Sequence, residues 1–336
     1  MKTILNSTIN MLKSRLILLI IPLFFSCSES IKTIQKPLNV VWISCEDMGP
    51  ILGSYGNEVV KTPNLDKLAA EGVRYTNAYS TVGVCAPSRF SIITGMYSAR
   101  LGAHNMRTGD YHNYKTPEQV NHRKDIGVID KAGKNIPEYE VVPPSYVKPF
   151  TEILRANGYY CANNFKCDYQ FNAPFTAWDE VSSTVSFRDA PKDKPFFYVW
   201  NTLLTHESRI WERSNKPLTV NPKDVEIPSY FPDIPEVRND IARKYSNIEA
   251  MDEKVGEIIS QLEEDGLLEN TIIMFWSDHG GNLLRQKRAV GNSGLNVPLI
   301  IRYPNKINAG KVDDRIVSLM DLGPTVLSLL NIEPPK

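Results

Sequence analysis

Four short apolar runs in this 336-residue chain each stop at a group able to carry chemistry, and no other feature constrains the fold as much. Asn39–Ser44 runs into Cys45, Glu46 and Asp47. Tyr159–Phe165 is followed by Lys166, Phe196–Asn201 by Thr205 and His206, and Thr271–Trp276 by Asp278 and His279. Runs of this length and composition predict buried strands. Val297–Tyr303 predicts one more strand, the last. Helical patterns lie between them. Ile241, Tyr245, Ile248, Met251, Val255, Ile258, Ile259 and Leu262 recur at spacings near three and four, with Gly266 beyond. That is a long amphipathic helix whose stripe packs on the core. Thr62-Pro63-Asn64-Leu65 opens another, with Thr62 as N-cap and Pro63 in the first turn. Phe150, Ile153 and Leu154 mark a third, and Asp321–Leu330 a short fourth.

Strands alternating with helices predict the α/β class: an α/β/α sandwich with a mostly parallel central sheet. The carboxyl ends of parallel strands share one edge, so Glu46, Asp47, Lys166, His206, Asp278 and His279 should converge there. Two adjacent carboxylates behind a buried strand are costly unless a cation meets them. This favours a metal site at Glu46 and Asp47 over a solvated loop.

Cys85-Ala86-Pro87-Ser88-Arg89 puts a thiol, a hydroxyl and a guanidinium at the head of a short helix that Gly95 follows. Free N–H groups at a helix start favour negative charge, and Pro87 suits the first turn. The arginine fork fits tetrahedral oxyanions and carboxylates. The alternative is an inert, buried thiol. Cys-x-Pro-Ser-Arg with Thr94-Gly95 behind it resembles the signature of the type I sulfatases, and the family's other landmarks follow in order from about Asn39.

The resemblance implies an alkaline-phosphatase-like fold and hydrolysis of a sulfuric ester on a sulfated saccharide. It implies that a formylglycine-generating enzyme oxidises Cys85 to formylglycine, whose hydrate attacks sulfur. One divalent cation is implied, calcium with magnesium as the alternative, held by Glu46, Asp47, residue 85, Asp278 and His279. Arg89, Lys166 and Lys287 would balance charge on the sulfate, and His206 would assist the leaving alcohol. His104 and Arg107, in the irregular stretch Leu101–Pro144, lie within reach of substrate or are ordinary surface residues. Three features depart from the family pattern. Glu46 stands where Asp is usual, and Asp168 stands where the family often has His. The smaller C-terminal subdomain that the family usually carries after the Asp321–Thr325 string is expected to be missing.

Lys+Arg and Asp+Glu both number 38, so the formal net charge is zero. This excludes a nucleic-acid binder of the basic kind, and a sulfated polymer must be held by a local basic pocket. The five cysteines match no disulfide or zinc framework. Residues 1–27 read as a signal peptide, with a lipoprotein leader acylated at Cys27 as the alternative, and 28–36 as a tether. The catalytic domain then spans 37–336, in an exported protein, periplasmic or anchored by lipid to the outer membrane of a bacterium. Two other functions compete with a sulfatase: a phosphoester or phosphonate hydrolase, and an inactive glycan-binding remnant.

Overall fold

The apolar runs become strands with both faces covered. The structure, a computed structural model, describes residues 36–106, 129–135, 141–171 and 174–334. Among them are eight strands: β1 (Asn39–Cys45), β2 (Val73–Tyr79), β3 (Tyr160–Asn164), β4 (Glu180–Ser182), β5 (Phe196–Asn201), β6 (Thr271–Ser277), β7 (Asn296–Arg302) and β8 (Lys311–Ser318). They form one sheet in the order β4-β3-β5-β1-β6-β7-β2-β8. Only β7 runs against its neighbours. The sheet is therefore mostly parallel, as the alternation of strand and helix predicts.

Successive strand residues point to opposite faces, and each face has its own core. Val40, Trp42 and Trp276 meet α2 (Cys85–Thr94), α3 (Phe150–Ala156) and α5 (Leu322–Leu329) through Phe90, Phe150 and Val326. Val41, Ile43 and Phe275 meet α1 (Pro63–Ala70) and α4 (Pro235–Glu264) through Leu65, Ile248 and Met251. Each large apolar side chain buried in this way contributes about 1.5–3 kcal/mol. The helical stripe read in the sequence is the buried face of α4.

Two expectations need correction. Val297–Tyr303 is not the last strand, because β8 follows it and pairs with β2 at the sheet edge. Its residues Asp313, Asp314 and Arg315 break any apolar run, as suits an edge strand that must not recruit a neighbour. Thr62 does not cap α1 with its side chain. Its hydroxyl accepts from Gly53 N–H and donates to Asp66 instead. Asp252 of α4 takes the orphan N–H groups of Asn64 and Leu65, at 3.1 and 2.8 Å. A buried carboxylate from a neighbouring helix replaces the local cap. Cys45, Cys85, Cys161 and Cys167 are all free, buried thiols.

Candidate active site

β1 and β6 are paired in register to their ends, with Cys45 beside Ser277. Glu46–Asp47 and Asp278–His279 therefore leave the sheet side by side, all four buried. The Asp47 N–H donates to Asp278 Oδ1 at 3.2 Å and ties the two loops together. Asp47 takes this position at φ 50°, and Phe165 and Asp168 also have positive φ, 66° and 52°. Each such residue costs about 1–3 kcal/mol, and these three border the site.

Cys85 opens α2 with its Sγ 3.8 Å from Asp47 Oδ1 and 3.4 Å from His279 Nε2. Ser88 secures the helix start by donating to the Asp278 carbonyl at 2.5 Å. Burial, then Asp278 and Glu46, push the Cys85 thiol well above its ordinary value. This outweighs the helix terminus that the sequence suggested would activate it. A helix end is worth about 0.3–1 kcal/mol, whereas one charge at about 4 Å is worth about 4 kcal/mol at an effective dielectric of 20. An unmodified Cys85 is therefore held as a thiol and is a poor nucleophile.

His279 Nδ1 lies 3.0 Å from the Gly280 carbonyl, which only accepts, so Nδ1 carries a proton. Its Nε2 lies 2.9 Å from Asp47 Oδ1 and 3.8 Å from Asp278 Oδ1. Two lone-pair atoms at 2.9 Å need a proton or a metal ion between them. Burial pulls the imidazole pKa down, but Asp278 and Asp47 reverse this and raise it. The ligand atoms of Glu46, Asp47, Cys85 and His206 all lie within 4.8 Å of one another, as do those of Cys85, Asp278 and His279. Carboxylate oxygens with one imidazole fit a hard divalent cation.

Three fixed cations surround these donors. Arg89 donates to Glu46, to Asp278 at 3.1 Å, to Asn201 at 2.9 Å and to Ser44 at 3.0 Å. Four of its five N–H groups are thus committed to the protein. Arg89, expected to balance charge on a sulfate, here holds the carboxylates in place. Lys166 Nζ meets Glu46 Oε2 at 2.5 Å and Asp168 Oδ2 at 3.4 Å. Asp168, found where a histidine was expected, therefore backs the lysine. Lys287 Nζ meets Asp47 Oδ2 at 2.8 Å, Glu207 Oε1 at 3.0 Å and His206 Nε2 at 3.3 Å. The His206 side chain is 27% exposed, more open than Arg89, Lys166 or Lys287. Against burial, Glu46 first and then Cys85 hold Lys166 above the usual lysine range, and Cys85 first and then Asp47 do so for Lys287.

Every site residue expected from the sequence is thus in this one cluster: Cys85, Arg89, Lys166, His206 and Lys287, with Glu46, Asp47, Asp278 and His279. His104 is exposed. Arg107, and residues 1–27 with Cys27, lie outside the described residues.

The sulfatase family model matches residues 38–332, nearly all of the chain from Pro37 onward. The chain belongs to the sulfatase family. An ulvan-active sulfatase of Formosa agariphila is 42% identical over 345 residues, covering 92% of this chain and 54% of the relative. The chain thus spans about half the length of that relative. Among solved structures, BT4656 in complex with its substrate D-glucosamine-2-N,6-O-disulfate has a TM-score of 0.61 at 18% identity, covering 90% of this chain and 78% of that one. The phosphonate monoester hydrolase of Agrobacterium radiobacter has a TM-score of 0.62 at 18% identity, covering 89% and 74%. These likenesses establish the alkaline-phosphatase-like fold of the sulfatases.

Two members of the cluster escaped the sequence reading. Asn201 accepts from Arg89, and Glu207 pairs with Lys287 while its N–H reaches Asp47 Oδ2 at 2.8 Å. Asn201 had a signal, being the one amide in an otherwise apolar run. Glu207 had none beyond its place next to His206.

Proposed function

We propose that this chain hydrolyses a sulfate ester on a carbohydrate, with residue 85 acting as formylglycine. The observation that carries the reading is the convergence of Cys85 with Asp47, Asp278 and His279 in one buried donor set. The name of the ulvan-active relative supports a sulfated carbohydrate as the substrate class. The raised thiol of Cys85 supports the need for oxidation, since the cysteine itself is held neutral. As the hydrated aldehyde, residue 85 supplies two hydroxyls, one to attack sulfur and one to break the resulting ester down. A divalent cation at Glu46, Asp47, Asp278 and His279, calcium with magnesium as the alternative, would polarise the sulfate and favour the ionised nucleophile.

The remaining work falls to side chains of the chain itself. Lys166 and Lys287, each anchored on a carboxylate, present fixed positive charge to the sulfate oxygens. Arg89 is a positioning residue: it fixes Glu46 and Asp278 relative to each other. His206 Nε2, next to the Lys287 ammonium, moves the proton to the departing alcohol. Export through the leader, with acylation at Cys27 as the alternative to ordinary cleavage, and maturation by a formylglycine-generating enzyme complete the reading.

The test is to produce the chain from Pro37 with a formylglycine-generating enzyme and to assay matched sulfate and phosphate esters of saccharides. Mass spectrometry of the Cys85 peptide reports the aldehyde. Sulfate release that follows aldehyde content supports the reading. Preference for the phosphate esters, or no release from an aldehyde-bearing protein across the panel, overturns it.

A further inference from the structure

A concavity opens on the same edge of the sheet as the catalytic cluster. Its volume is about 400 Å³, and its polar lining is Asn164, Ser183, Asn201, Thr202, Arg209 and Arg213. This lies within the roughly 300–1,000 Å³ of small-molecule sites. Asn201 ends β5, the neighbour of β1, and Asn164 ends β3, one strand further out. Both strands run parallel to β1, so the cavity lies beside the Glu46–Asp47 loop. Asn201 is the shared wall. Its Oδ1 accepts from Arg89, and its Nδ2 donates to the Asn164 carbonyl at 2.8 Å. Adjacent strands are about 4.8 Å apart, so a ligand reaching one strand along the edge passes from one site to the other.

The arginines are held in place. They are four residues apart and share one face of the turn that starts at Arg209, while the exposed Trp211 faces the other way. Asn247 of α4, only 1% exposed, clamps the turn from beneath. Its Oδ1 accepts from Arg213 Nε at 2.8 Å, and its Nδ2 donates to the Arg209 carbonyl at 3.2 Å. Among the described residues no carboxylate lines the cavity. Arg209 has Glu212 at the rim. Arg213 instead neighbours a buried cation, Arg243, whose pKa is lowered by burial and by Arg213. Arg209 is paired with Glu212, but Arg213 is held by the neutral Asn247 and lies beside Arg243, and an anionic ligand would offset that repulsion. In a chain of zero formal net charge, this is a local basic pocket.

We propose that this cavity is an anion subsite. It takes a carboxylate or second sulfate on the sugar next to the one being desulfated, and Arg209 and Arg213 determine that specificity. The proposal rests on the sulfatase reading.

The experiment compares the matured parent with Arg209→Ala and Arg213→Ala on four substrates. One is a small aryl sulfate. The others are a sulfated oligosaccharide with a neighbouring uronic acid, its carboxyl-reduced form, and that reduced form carrying a second sulfate. Removing either arginine should raise KM roughly 10- to 100-fold on one or both anionic oligosaccharides, with kcat nearly unchanged. The aryl sulfate and the reduced oligosaccharide should not respond. Whichever anionic form responds identifies the group bound. KM shifts equal for charged and neutral oligosaccharides, or absent for all, overturn the subsite. Failure of the parent on every sulfate ester overturns the hydrolase reading instead. Calorimetric binding of the same oligosaccharides then reads the cavity alone. A preference for the charged forms that Arg213→Ala abolishes supports the subsite, and no preference overturns it.

Discussion

Two buried arginines, Arg89 and Arg302, sit at opposite edges of the sheet, and each meets two carboxylates. Arg302 ends the one reversed strand, β7, and so lies at the edge away from the active site. It pairs with Glu71 at 3.1 Å and with Glu269. The other Glu71 oxygen takes Lys306 at 3.0 Å, and the other Glu269 oxygen takes the Asn305 N–H at 2.8 Å. These carboxylates reach solvent, and their pKa values are lowered: burial opposes the shift, but hydrogen bonds and cations prevail. The Arg89 carboxylates are fully buried and face other donors. Cations hold Glu46 and Asp47 below the usual range against burial, but Asp278 is raised, first by burial and then by Glu46. An arginine between two carboxylates is thus a closed structural clasp at one edge. At the other it is part of an over-supplied donor set with room for a cation.

The largest expected effect comes from removing the nucleophile. Cys85→Ala should lower sulfate release by at least about 10⁴-fold while leaving the thermal midpoint within a few degrees. Asp278→Asn should come next. It should cost roughly 10²–10³-fold in turnover and lower the divalent metal bound per chain, read by elemental analysis. Equal metal content in parent and variant would remove the distinction between the two edges.

Arg302→Met tests the other half of the comparison. Its partners are partly exposed, so the loss should fall below the roughly 3–5 kcal/mol of a fully buried pair, at about 1–3 kcal/mol by denaturant melts. Turnover per folded molecule should not change. The lowered pKa values of Glu71 and Glu269 give stability that is present above their unfolded value near 4.5 and lost as pH falls. The variant should keep a shallower acid limb, because Lys306 still pairs with Glu71 and the Asn305 N–H still donates to Glu269.

The smallest effect concerns another buried cation, Lys244, which donates to a neutral acceptor, Gln286 Oε1, at 3.1 Å. Burial lowers its pKa to about 8, with Asp47 opposing. Between about pH 8 and 10.5 the unfolded chain binds the proton that the folded chain has released, so stability should rise with pH across that window. Lys244→Met should flatten the rise. A slope that survives the substitution would show that another group is responsible.

The site was legible in the sequence because its residues sit where parallel strands end. Glu46, Asp47, Asp278 and His279 follow apolar runs, and topology alone brings such ends together. The Cys85 motif pointed to the family. Strands without apolar runs were not legible: β8 is charged because it is an edge, and three-residue β4 is too short to show a pattern. Nor was the cap of α1, since Asp252 is 188 residues from Asn64.

The sequence by itself determined the order of the apolar strands and amphipathic helices and the identity of the chemistry-bearing groups, because periodicity and motif are local. Only the tertiary structure decided which charges meet. Arg89 turned from a sulfate contact into a clamp on carboxylates, Cys85 was held as a thiol, and Arg209 and Arg213 came together over Asn247. Each outcome depends on distances between residues far apart in the chain, where one buried charge at about 4 Å outweighs any local preference.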